Sequence, residues 1–287
     1  MIPKISVIIC VFNEEFCLID ALRSIKNNDI YEEVEVIIIN DCSYNPLTKR
    51  ILGLLKRFNY KVFDSPFNLG LSNSRNLGFQ NSKSEYIVPL DADDILPTGS
   101  LDKIHRTFRE NPDADFVYGN YVINIENSQD IIYMNEITEN GLCNLKLLLN
   151  NWILLGTSPC KKSLWTRAGG YSQKYANSCQ DLDFWIRAFK AKANGVFLNE
   201  TIYQWNRNNS GMNETFDRTD YYLMLKEHHL FLSMFQNKKQ LVNTISEGFY
   251  KHKKLKNLVF FNLKNLMLLN YKNILRPMLL VWSNLKK

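Results

Sequence analysis

Three carboxylates stand within four positions at the end of an apolar run in this sequence. The segment YIVPLDADDIL, residues 86–96, contains Asp91, Asp93 and Asp94. Carboxylates this close repel one another, so they must be hydrated or neutralised by a cation. Mg²⁺ and Mn²⁺ prefer carboxylate oxygens and leave room for phosphate oxygens. Because alternate residues of an extended chain point the same way, Asp91 and Asp93, on either side of Ala92, are predicted to hold a divalent metal that binds a diphosphate.

A structural alternative exists for any single aspartate of this segment. Asp94 or a neighbour could start the next turn and cap the helix near Pro97 and Thr98. Three carboxylates at one strand end favour metal binding over this alternative. The glycine loops that cradle phosphates, G-x-x-x-x-G-K-S/T and G-x-G-x-x-G, do not occur in the sequence. The phosphates would therefore need the metal and isolated basic residues, of which Arg75 is the nearest candidate.

The elements that must position these residues alternate along the N-terminal part of the chain. Strands are predicted at 5–12, 33–40, 60–64 and 85–91, and helices at 14–27, 48–58 and 71–82. Apolar strands that alternate with helices predict an α/β fold with a parallel sheet covered on both faces. Pro89 in the fourth strand indicates an edge strand or a bulge. Further helices are predicted at 101–109, 145–151 and 179–195, the last ended by Gly195, with a strand at 115–123.

Polar and acidic residues follow each of the four predicted strands. Ligands of parallel sheets bind beyond the carboxyl ends of the strands, so these residues are predicted to meet at one edge. In chain order they are Phe12, Asn13 and Glu14; Asn40, Asp41, Cys42 and Ser43; the segment from Asp64 to Asn68; and the segment from Asp91 to Asp94. The topology alone therefore predicts a functional site at this edge.

Motifs in the order expected of one family occur along the chain. The segments SVIICVFNEE, EVIIINDCS, NLGLSNSRNLG, YIVPLDADD and QDLDFWIRA resemble those of family 2 glycosyltransferases, over roughly residues 4–210. The resemblance implies the GT-A fold, a Rossmann-like and mostly parallel sheet flanked by helices. It also implies inverting transfer of a hexosyl or N-acetylhexosaminyl group from a nucleotide sugar, with UDP as the expected nucleotide. The implied acceptor is a glycan or a lipid-linked saccharide in cell-surface polysaccharide synthesis.

The resemblance also implies roles for single residues in donor binding. Cys10 and Phe12 lie where the family contacts the nucleotide base, and Asp41 matches the acid that hydrogen-bonds the base. Arg75 matches a basic residue near the sugar nucleotide. The rest of the donor-binding set predicted at the strand ends consists of Asn13, Glu14, Asn68, Asp91 and Ala92.

The resemblance assigns metal binding and catalysis to three positions: Asp91, Asp93 and Asp181. Asp91 and Asp93 form the D-x-D of the family, with Asp93 the direct ligand of Mn²⁺ or Mg²⁺. Asp181 matches the general base, which takes the proton of the acceptor hydroxyl as the oxygen attacks the anomeric carbon. An acidic residue in the first turn of a helix can also be structural, since it complements the helix macrodipole by about 0.3–1 kcal/mol. Asp183 fits that structural role better than Asp181.

The chain departs from the family pattern at several positions. Gln180 stands where the family usually has Glu, Phe12 replaces a commoner Tyr, and Asn40 a commoner Asp. Many members carry a His in the region of residues 203–211, and this segment has none. Arg207 is the residue predicted to contact the diphosphate there instead. Because the D-x-D and the base remain, we expect an active enzyme.

Two other functions stay open at the level of sequence. A sugar-phosphate nucleotidyltransferase would also use a parallel sheet and metal-binding carboxylates, but it would require a Gly-rich basic loop after the first strand, where CVFNEE stands. A non-catalytic module that binds a nucleotide or a glycan is the other alternative. Gln180 favours it and Asp181 counts against it.

Composition sets the broad class of the protein. At 287 residues, with 45% hydrophobic and 22% charged residues, the chain is typical of a globular protein. Its six scattered cysteines include no C-x-x-C pair, so we expect free thiols rather than a zinc site or a disulfide scaffold. No leader peptide and no uncharged apolar stretch of about 18 residues is apparent. These features predict a cytoplasmic protein, peripheral on the cytoplasmic membrane face if its tail binds lipid.

Charge divides the chain into two regions. Residues 248–287 contain nine Lys and Arg and no acidic residue, which leaves 26 basic and 29 acidic residues in the rest. We expect a glycosyltransferase domain at 1–219, with a nucleotide-binding half at 1–96 and an acceptor-binding half at 97–219. The region 220–287 is predicted to be helical and basic. It either lies on an anionic membrane or packs on the body, and no nucleic-acid-binding motif accompanies its charge.

Truncation at Glu247 distinguishes the two interpretations of the tail. If the tail binds membranes, the full-length protein co-sediments with anionic vesicles and increasing salt weakens that binding, because exposed charges are screened. The truncated protein then fails to bind vesicles and melts at an unchanged temperature. A large fall in melting temperature, with no vesicle binding by the full-length protein, would contradict the membrane interpretation.

Overall fold

The computed structural model describes residues 2–125, 128–132, 154–175, 179–207, 218–234 and 238–251, together with Phe261 and Asn265. The chain divides into two compact units. One contains Met1–Ala176 and Gln180–Gly211, and the other contains Asn177–Cys179 and Met212–Lys287. Both predicted halves, 1–96 and 97–219, fall mainly in the larger unit.

A parallel sheet forms the first part of the larger unit, as predicted. Its spatial order is β3-β2-β1-β4, with all three pairings parallel. Apolar residues run along these strands because helices cover the sheet; in β1, residues 5, 7, 8, 9 and 11 are at most 1% exposed. The strands are β1 (Ile5–Val11), β2 (Val34–Asn40), β3 (Lys61–Asp64) and β4 (Tyr86–Asp91), and the helices between them are α1 (Phe16–Lys26), α2 (Pro46–Arg57) and α3 (Leu71–Asn81).

The second part of the unit extends the sheet with antiparallel pairs. Strand β7 joins the two parts, because it pairs antiparallel with both β4 and β5. Strand β6 is antiparallel to β5, while β8 is parallel to β5 along most of its length. The elements are α4 (Ser100–Glu110), β5 (Phe116–Ile125), β6 (Ser128–Ile132), β7 (Cys160–Lys161), α5 (Lys162–Ala168), α6 (Gln180–Lys190) and β8 (Gly195–Arg207).

The prediction that Pro89 marks an edge strand or a bulge is wrong. Strand β4 is interior, between β1 and β7, and its register with β1 continues without a break through Pro89. The pairing with β7 involves Tyr86 and Ile87, before the proline. Pro89 therefore lies beyond the paired stretch on that side, where its missing N–H breaks no ladder hydrogen bond.

The prediction that Gly195 ends a helix is also wrong. Helix α6 ends at Lys190, the chain turns through Lys192 in the left-handed region (φ 59°), and Gly195 begins β8. A Cβ at Gly195 would lie 2.2 Å from the ring of Phe116 on β5. Close approach of the ring, rather than helix termination, is what requires glycine here. The helix predicted at 145–151 lies outside the described residues.

The smaller unit contains α7 (Arg218–Leu232) and α8 (Lys238–Lys251), which confirms the helical pattern predicted after Thr219 over these ranges. None of the described helices is long and apolar enough to cross a membrane. Most of the chain after Lys251 lies outside the described residues, so membrane binding by the tail stays a prediction. The five described cysteines are free thiols, and Cys143 lies outside the described ranges.

Alanine substitutions at two helical glycines are expected to change the free energy of unfolding in opposite directions. A Cβ at Gly78 on α3 would lie 2.3 Å from Cγ2 of Ile8 on β1, whereas one at Gly53 on α2 would meet no atom within 4 Å. Gly78→Ala should lower the free energy of unfolding by about 1–3 kcal/mol through overpacking. Gly53→Ala should raise it by about 0.5–1 kcal/mol, because alanine loses less backbone entropy in a helix. Urea unfolding of both variants measures this, and equal effects would contradict the packing of α3 on β1.

Candidate active site

The third carboxylate of the acidic segment is structural. Asp94 is 3% exposed; its Oδ2 accepts the hydroxyl of Tyr203 at 2.5 Å, and its Oδ1 accepts the N–H of Asn206 at 2.8 Å. Burial, reinforced by the charges of Asp91 and Asp93, raises the pKa of Asp94 to about 8. The predicted alternative of a helix cap is not what this side chain does, since α4 begins at Ser100 without a side-chain cap.

Strand β8 fixes the other two aspartates as well. The side-chain amide of Asn206 donates to the carbonyl oxygen of Asp93 at 2.7 Å, and the N–H of Asp91 donates to the hydroxyl oxygen of Tyr203 at 3.4 Å. Both carboxylates remain partly exposed. The acidic loop, residues 91–94, is therefore hydrogen-bonded to β8 at both ends, while the carboxylates of Asp91 and Asp93 remain partly exposed to solvent.

A buried guanidinium lies against this loop. The Nη2 atom of Arg75 is 2.7 Å from Oδ1 of Asp91, and the side chain of Arg75 is 4% exposed. Burial disfavours the charged form, but Asp91, together with Tyr171 and Cys10, offsets this effect and keeps the pKa of Arg75 above its usual value. The guanidinium also lies over the ring of Tyr171, 5.6 Å from its centroid. Arg75 thus neutralises Asp91 inside the protein.

Asp181 approaches the same guanidinium from α6. Gly156 separates them: a Cβ at Gly156 would lie 2.6 Å from Nη1 of Arg75 and 3.2 Å from Cβ of Asp181. The hydroxyl of Tyr171 donates to the carbonyl oxygen of Gly156 at 3.1 Å, which fixes this segment. Burial raises the pKa of Asp181, although the N–H of Leu182 and the charge of Arg75 partly oppose the rise. A carboxylate in this environment binds a proton more readily than one in water.

The residues on either side of Asp181 have structural contacts. Asp183 is 2% exposed and forms an ion pair with Arg187, with Nη2 and Oδ2 2.7 Å apart. Gln180 accepts the hydroxyl of Ser72 on α3 at 2.8 Å. With Gln in place of the usual Glu, this position therefore connects α6 to α3 by a hydrogen bond between two uncharged side chains.

Asp41 anchors the loop before α3. Its Oδ1 accepts the N–H of Leu69 at 2.5 Å and its Oδ2 accepts the N–H of Gly70 at 2.9 Å. Its own N–H donates to the carbonyl oxygen of Val11, so it lies beside the end of β1. Asn68 is exposed and also accepts the N–H of Gly70, at 3.1 Å. The predicted contact of Asp41 with a base stays a prediction.

The end of β1 contributes four of the predicted residues, Cys10 within the strand and Phe12, Asn13 and Glu14 directly after it. Cys10 lies opposite Asp91 in the register of β1 with β4, and burial raises the pKa of its thiol, which stays neutral. Glu14 accepts the backbone N–H of Phe12. Burial raises the pKa of Glu14, and the charges of Asp93 and Asp91 add to the rise. The end of β1 therefore lies within electrostatic range of the acidic loop.

Arg207 is the last residue of β8. Its guanidinium is 6.0 Å from the centroid of the Trp205 ring, and the residue is exposed. The diphosphate contact predicted for Arg207 stays a prediction.

Four residues of the site went unrecognised in the sequence: Gly156, Tyr171, Tyr203 and Asn206. Tyr203 and Asn206 belong to the polar and aromatic segment YQWNR, in which the sequence predicts only Arg207 as a site residue. A strand period of two places Tyr203 and Asn206 on opposite faces, so the local pattern does not identify the pair. Gly156 and Tyr171 lie in irregular chain, and their roles depend on tertiary contacts.

The donor atoms suit Mg²⁺ or Mn²⁺. Asp91 and Asp93 supply hard carboxylate oxygens, while Asp94 is occupied by Tyr203 and Asn206. Among the described residues, no group of three or more His, Cys, Asp and Glu side chains has the arrangement of a protein-only metal site. Such ions commonly bind through one or two carboxylates plus substrate phosphates and water, so the two aspartates fit an ion that arrives with a diphosphate.

A cavity of about 950 Å³ lies at the opposite edge of the sheet. Phe58, Tyr60 and Lys61 are among its lining residues, near the amino ends of β2 and β3. None of the site residues described above lines it. Because parallel sheets bind ligands at the carboxyl ends of their strands, we place the active site at the acidic loop instead.

Comparison with known proteins agrees with the sheet and with the motifs. The family model described as glycosyl transferase family 2 matches residues 6–165. An uncharacterized glycosyltransferase of Haemophilus influenzae is 31% identical over 160 residues, and the match spans 52% of this chain and 49% of that protein. The chain thus spans about half the length of that relative.

Two further proteins cover more of the chain. The GalNAc(5)-diNAcBac-PP-undecaprenol beta-1,3-glucosyltransferase of Campylobacter jejuni is 25% identical over 217 residues, with 72% of this chain and 67% of that protein covered. The crystal structure of S. aureus TarS 1-349 in complex with UDP-GlcNAc has a TM-score of 0.67 at 18% identity and covers 96% of this chain and 79% of that one. The chain belongs to glycosyl transferase family 2 and has the fold seen in TarS.

Proposed function

We propose that this chain is an inverting glycosyltransferase that moves a sugar from a UDP-linked donor to a glycan or lipid-linked saccharide, in cell-surface polysaccharide synthesis. The observation that carries the proposal is the convergence of Asp91, Asp93, Arg75 and Asp181 at the carboxyl edge of the sheet, in a chain of this family. The TarS complex with UDP-GlcNAc supports the choice of donor. The Campylobacter relative, whose name specifies a lipid-linked saccharide, supports the acceptor.

The proposed reaction is a single displacement at the anomeric carbon. The acceptor oxygen forms a bond to that carbon while the bond to the β-phosphate oxygen breaks, and the nucleoside diphosphate leaves with the electron pair. Asp181 takes the proton of the acceptor hydroxyl, and burial makes its carboxylate a stronger base than a solvated one. Because Gly156 has no side chain, Asp181 can lie beside Arg75, which limits repulsion from Asp91.

Asp91 and Asp93 would hold a Mn²⁺ or Mg²⁺ ion. When bound, the ion supplies positive charge that stabilises the leaving diphosphate without proton transfer. Tyr203 and Asn206 hold the acidic loop in place, so that the two carboxylates are oriented before the donor arrives. Asp94 does not take part in binding the ion because its oxygens are already hydrogen-bonded.

The two alternative functions receive less support. A nucleotidyltransferase requires a basic loop after the first strand, whereas Glu14 follows β1 here and lies near the acidic loop. A non-catalytic binding module would have lost its base, whereas Asp181 is present and lies beside Arg75. Incubation with a panel of nucleotide sugars and saccharide acceptors separates these functions, since only a transferase forms a new glycosidic bond.

Asp93→Ala should abolish sugar transfer and remove the dependence of nucleotide affinity on Mn²⁺. The reason is that Asp93 is partly exposed at the acidic loop, whereas Asp94 is buried and hydrogen-bonded to Tyr203 and Asn206. Calorimetric titration of UDP with and without MnCl₂ measures the change. Glu33→Ala, at an exposed acidic residue that pairs with Lys4 and lines the cavity at the opposite edge of the sheet, is the control. Full turnover in the presence of EDTA would contradict metal dependence.

Asp181→Asn should reduce turnover by about 10²–10⁴-fold, the usual contribution of a positioned base, with donor binding near normal. The wild-type rate should fall as the pH decreases through the raised pKa of Asp181, because only the ionised carboxylate accepts a proton. This acid limb should disappear in Asp181→Asn. The pH profile of kcat/KM measures both effects.

Asp183→Asn serves as the matched control for this experiment. It removes the negative charge of a buried ion pair with Arg187. We therefore expect a clear fall in the free energy of unfolding and a small effect on turnover. Greater damage to turnover in folded Asp183→Asn than in Asp181→Asn would show that the base is assigned to the wrong residue. Equal unfolding of both variants would mean that both residues are structural.

A further inference from the structure

A single buried ring lies against three parts of the candidate active site. Tyr171 follows the turn after α5 and is 3% exposed. The guanidinium of Arg75 lies over its ring, and its hydroxyl donates to the carbonyl oxygen of Gly156 at 3.1 Å. The ring also stacks on that of Phe184, with the centroids 4.6 Å apart and the planes at 25°. Tyr171 therefore connects α3, the segment before β7 and α6.

Helix α3 holds the backbone of Tyr171 on both sides. The side-chain amide of Asn76 donates to the carbonyl oxygen of Tyr171 at 2.8 Å, and its oxygen accepts the N–H of Tyr171 at 2.8 Å. The same oxygen accepts the indole N–H of Trp165 at 3.0 Å. Asn76 follows Arg75 directly on α3, so one turn of this helix both fixes the tyrosine and places a guanidinium on its ring. The position of the ring relative to Arg75 is therefore closely defined.

The hydroxyl and the ring restrict different groups of the site. Burial raises the pKa of Tyr171, so its hydroxyl keeps its proton and donates. The bond to Gly156 fixes the backbone at the point where a Cβ would meet both Arg75 and Asp181. Phe184 lies one helical turn after Asp181, so stacking on Tyr171 restricts the part of α6 that carries the proposed base. Both contacts act on the position of one carboxylate.

We propose that Tyr171 is a positioning residue of the transfer reaction, and that its hydroxyl and ring hold Asp181 in place beside Arg75. This inference rests on the proposed function, because Tyr171 acts through the proposed base. A base must lie within hydrogen-bond distance of the acceptor oxygen whose proton it takes. A displacement of about 1 Å can cost about 10²-fold in rate, so the contacts of Tyr171 affect kcat more than donor binding.

Tyr171→Phe tests this role, because it removes the hydroxyl and keeps the ring. We expect kcat to fall by about 3- to 10-fold, the effect of one lost hydrogen bond, while the KM of the UDP-sugar stays within about twofold of the wild type. In an Asp181→Asn background, the same substitution should change the residual rate by less than about twofold, because the side chain that Tyr171 positions no longer accepts a proton. Initial rates of the wild type, the two single variants and the double variant measure this coupling.

Tyr86→Phe is the matched control, because Tyr86 begins β4 at the opposite edge of the sheet, where its ring stacks on Phe108. It should transfer sugar as the wild type does. Three results would overturn this inference alone: a normal kcat of Tyr171→Phe, a raised KM with kcat unchanged, or an equal fall in rate with and without Asp181. Wild-type protein that forms no glycosidic bond, or an Asp181→Asn variant with full turnover, would overturn the proposed function together with it.

Discussion

A guanidinium buried next to a carboxylate organises the carboxyl edge of the sheet. Beyond the effect of burial, Asp91 raises the pKa of both Glu14 and Asp181 there, and Asp93 adds to the rise at Glu14, because nearby negative charges disfavour a further ionised carboxylate. Arg75 neutralises Asp91 within the protein and stabilises the charge of Asp181. Arg75 is buried while the Asp91 carboxylate is about one third exposed, so loss of Asp91 would leave the charge of a buried guanidinium without this partner. The negative charge that remains suits a divalent cation.

The arrangement of Arg75, Asp91 and Asp181 also accounts for features of the chain around Gly156 and of β8. Gly156 allows the irregular chain before β7 to pass between Arg75 and Asp181. Strand β8 pairs with β5, and its residues Tyr203 and Asn206 bind the acidic loop after β4. The second half of the unit therefore reaches back to the first half at the site, and the two halves cannot act as independent domains.

Local periodicity made the parallel half of the fold predictable. Buried strands such as β1 are apolar throughout, and their order with helices between them specifies the topology. The polar residues after each strand then located the edge that carries the site. Other features depend on tertiary contacts. The ring of Phe116 leaves no room for a side chain at Gly195. Asp94 is hydrogen-bonded to Tyr203, which is 109 residues away in the chain. No local pattern encodes either contact.

Anomalous diffraction at the manganese edge, from crystals grown with UDP and MnCl₂, tests the central claim most directly. The account predicts one manganese peak within coordination distance of the Asp93 carboxylate, with the diphosphate on the ion and Arg75 still paired with Asp91. Nucleotide bound in the cavity at the amino ends of the strands, or nucleotide at the acidic loop with no manganese beside Asp93, would contradict it.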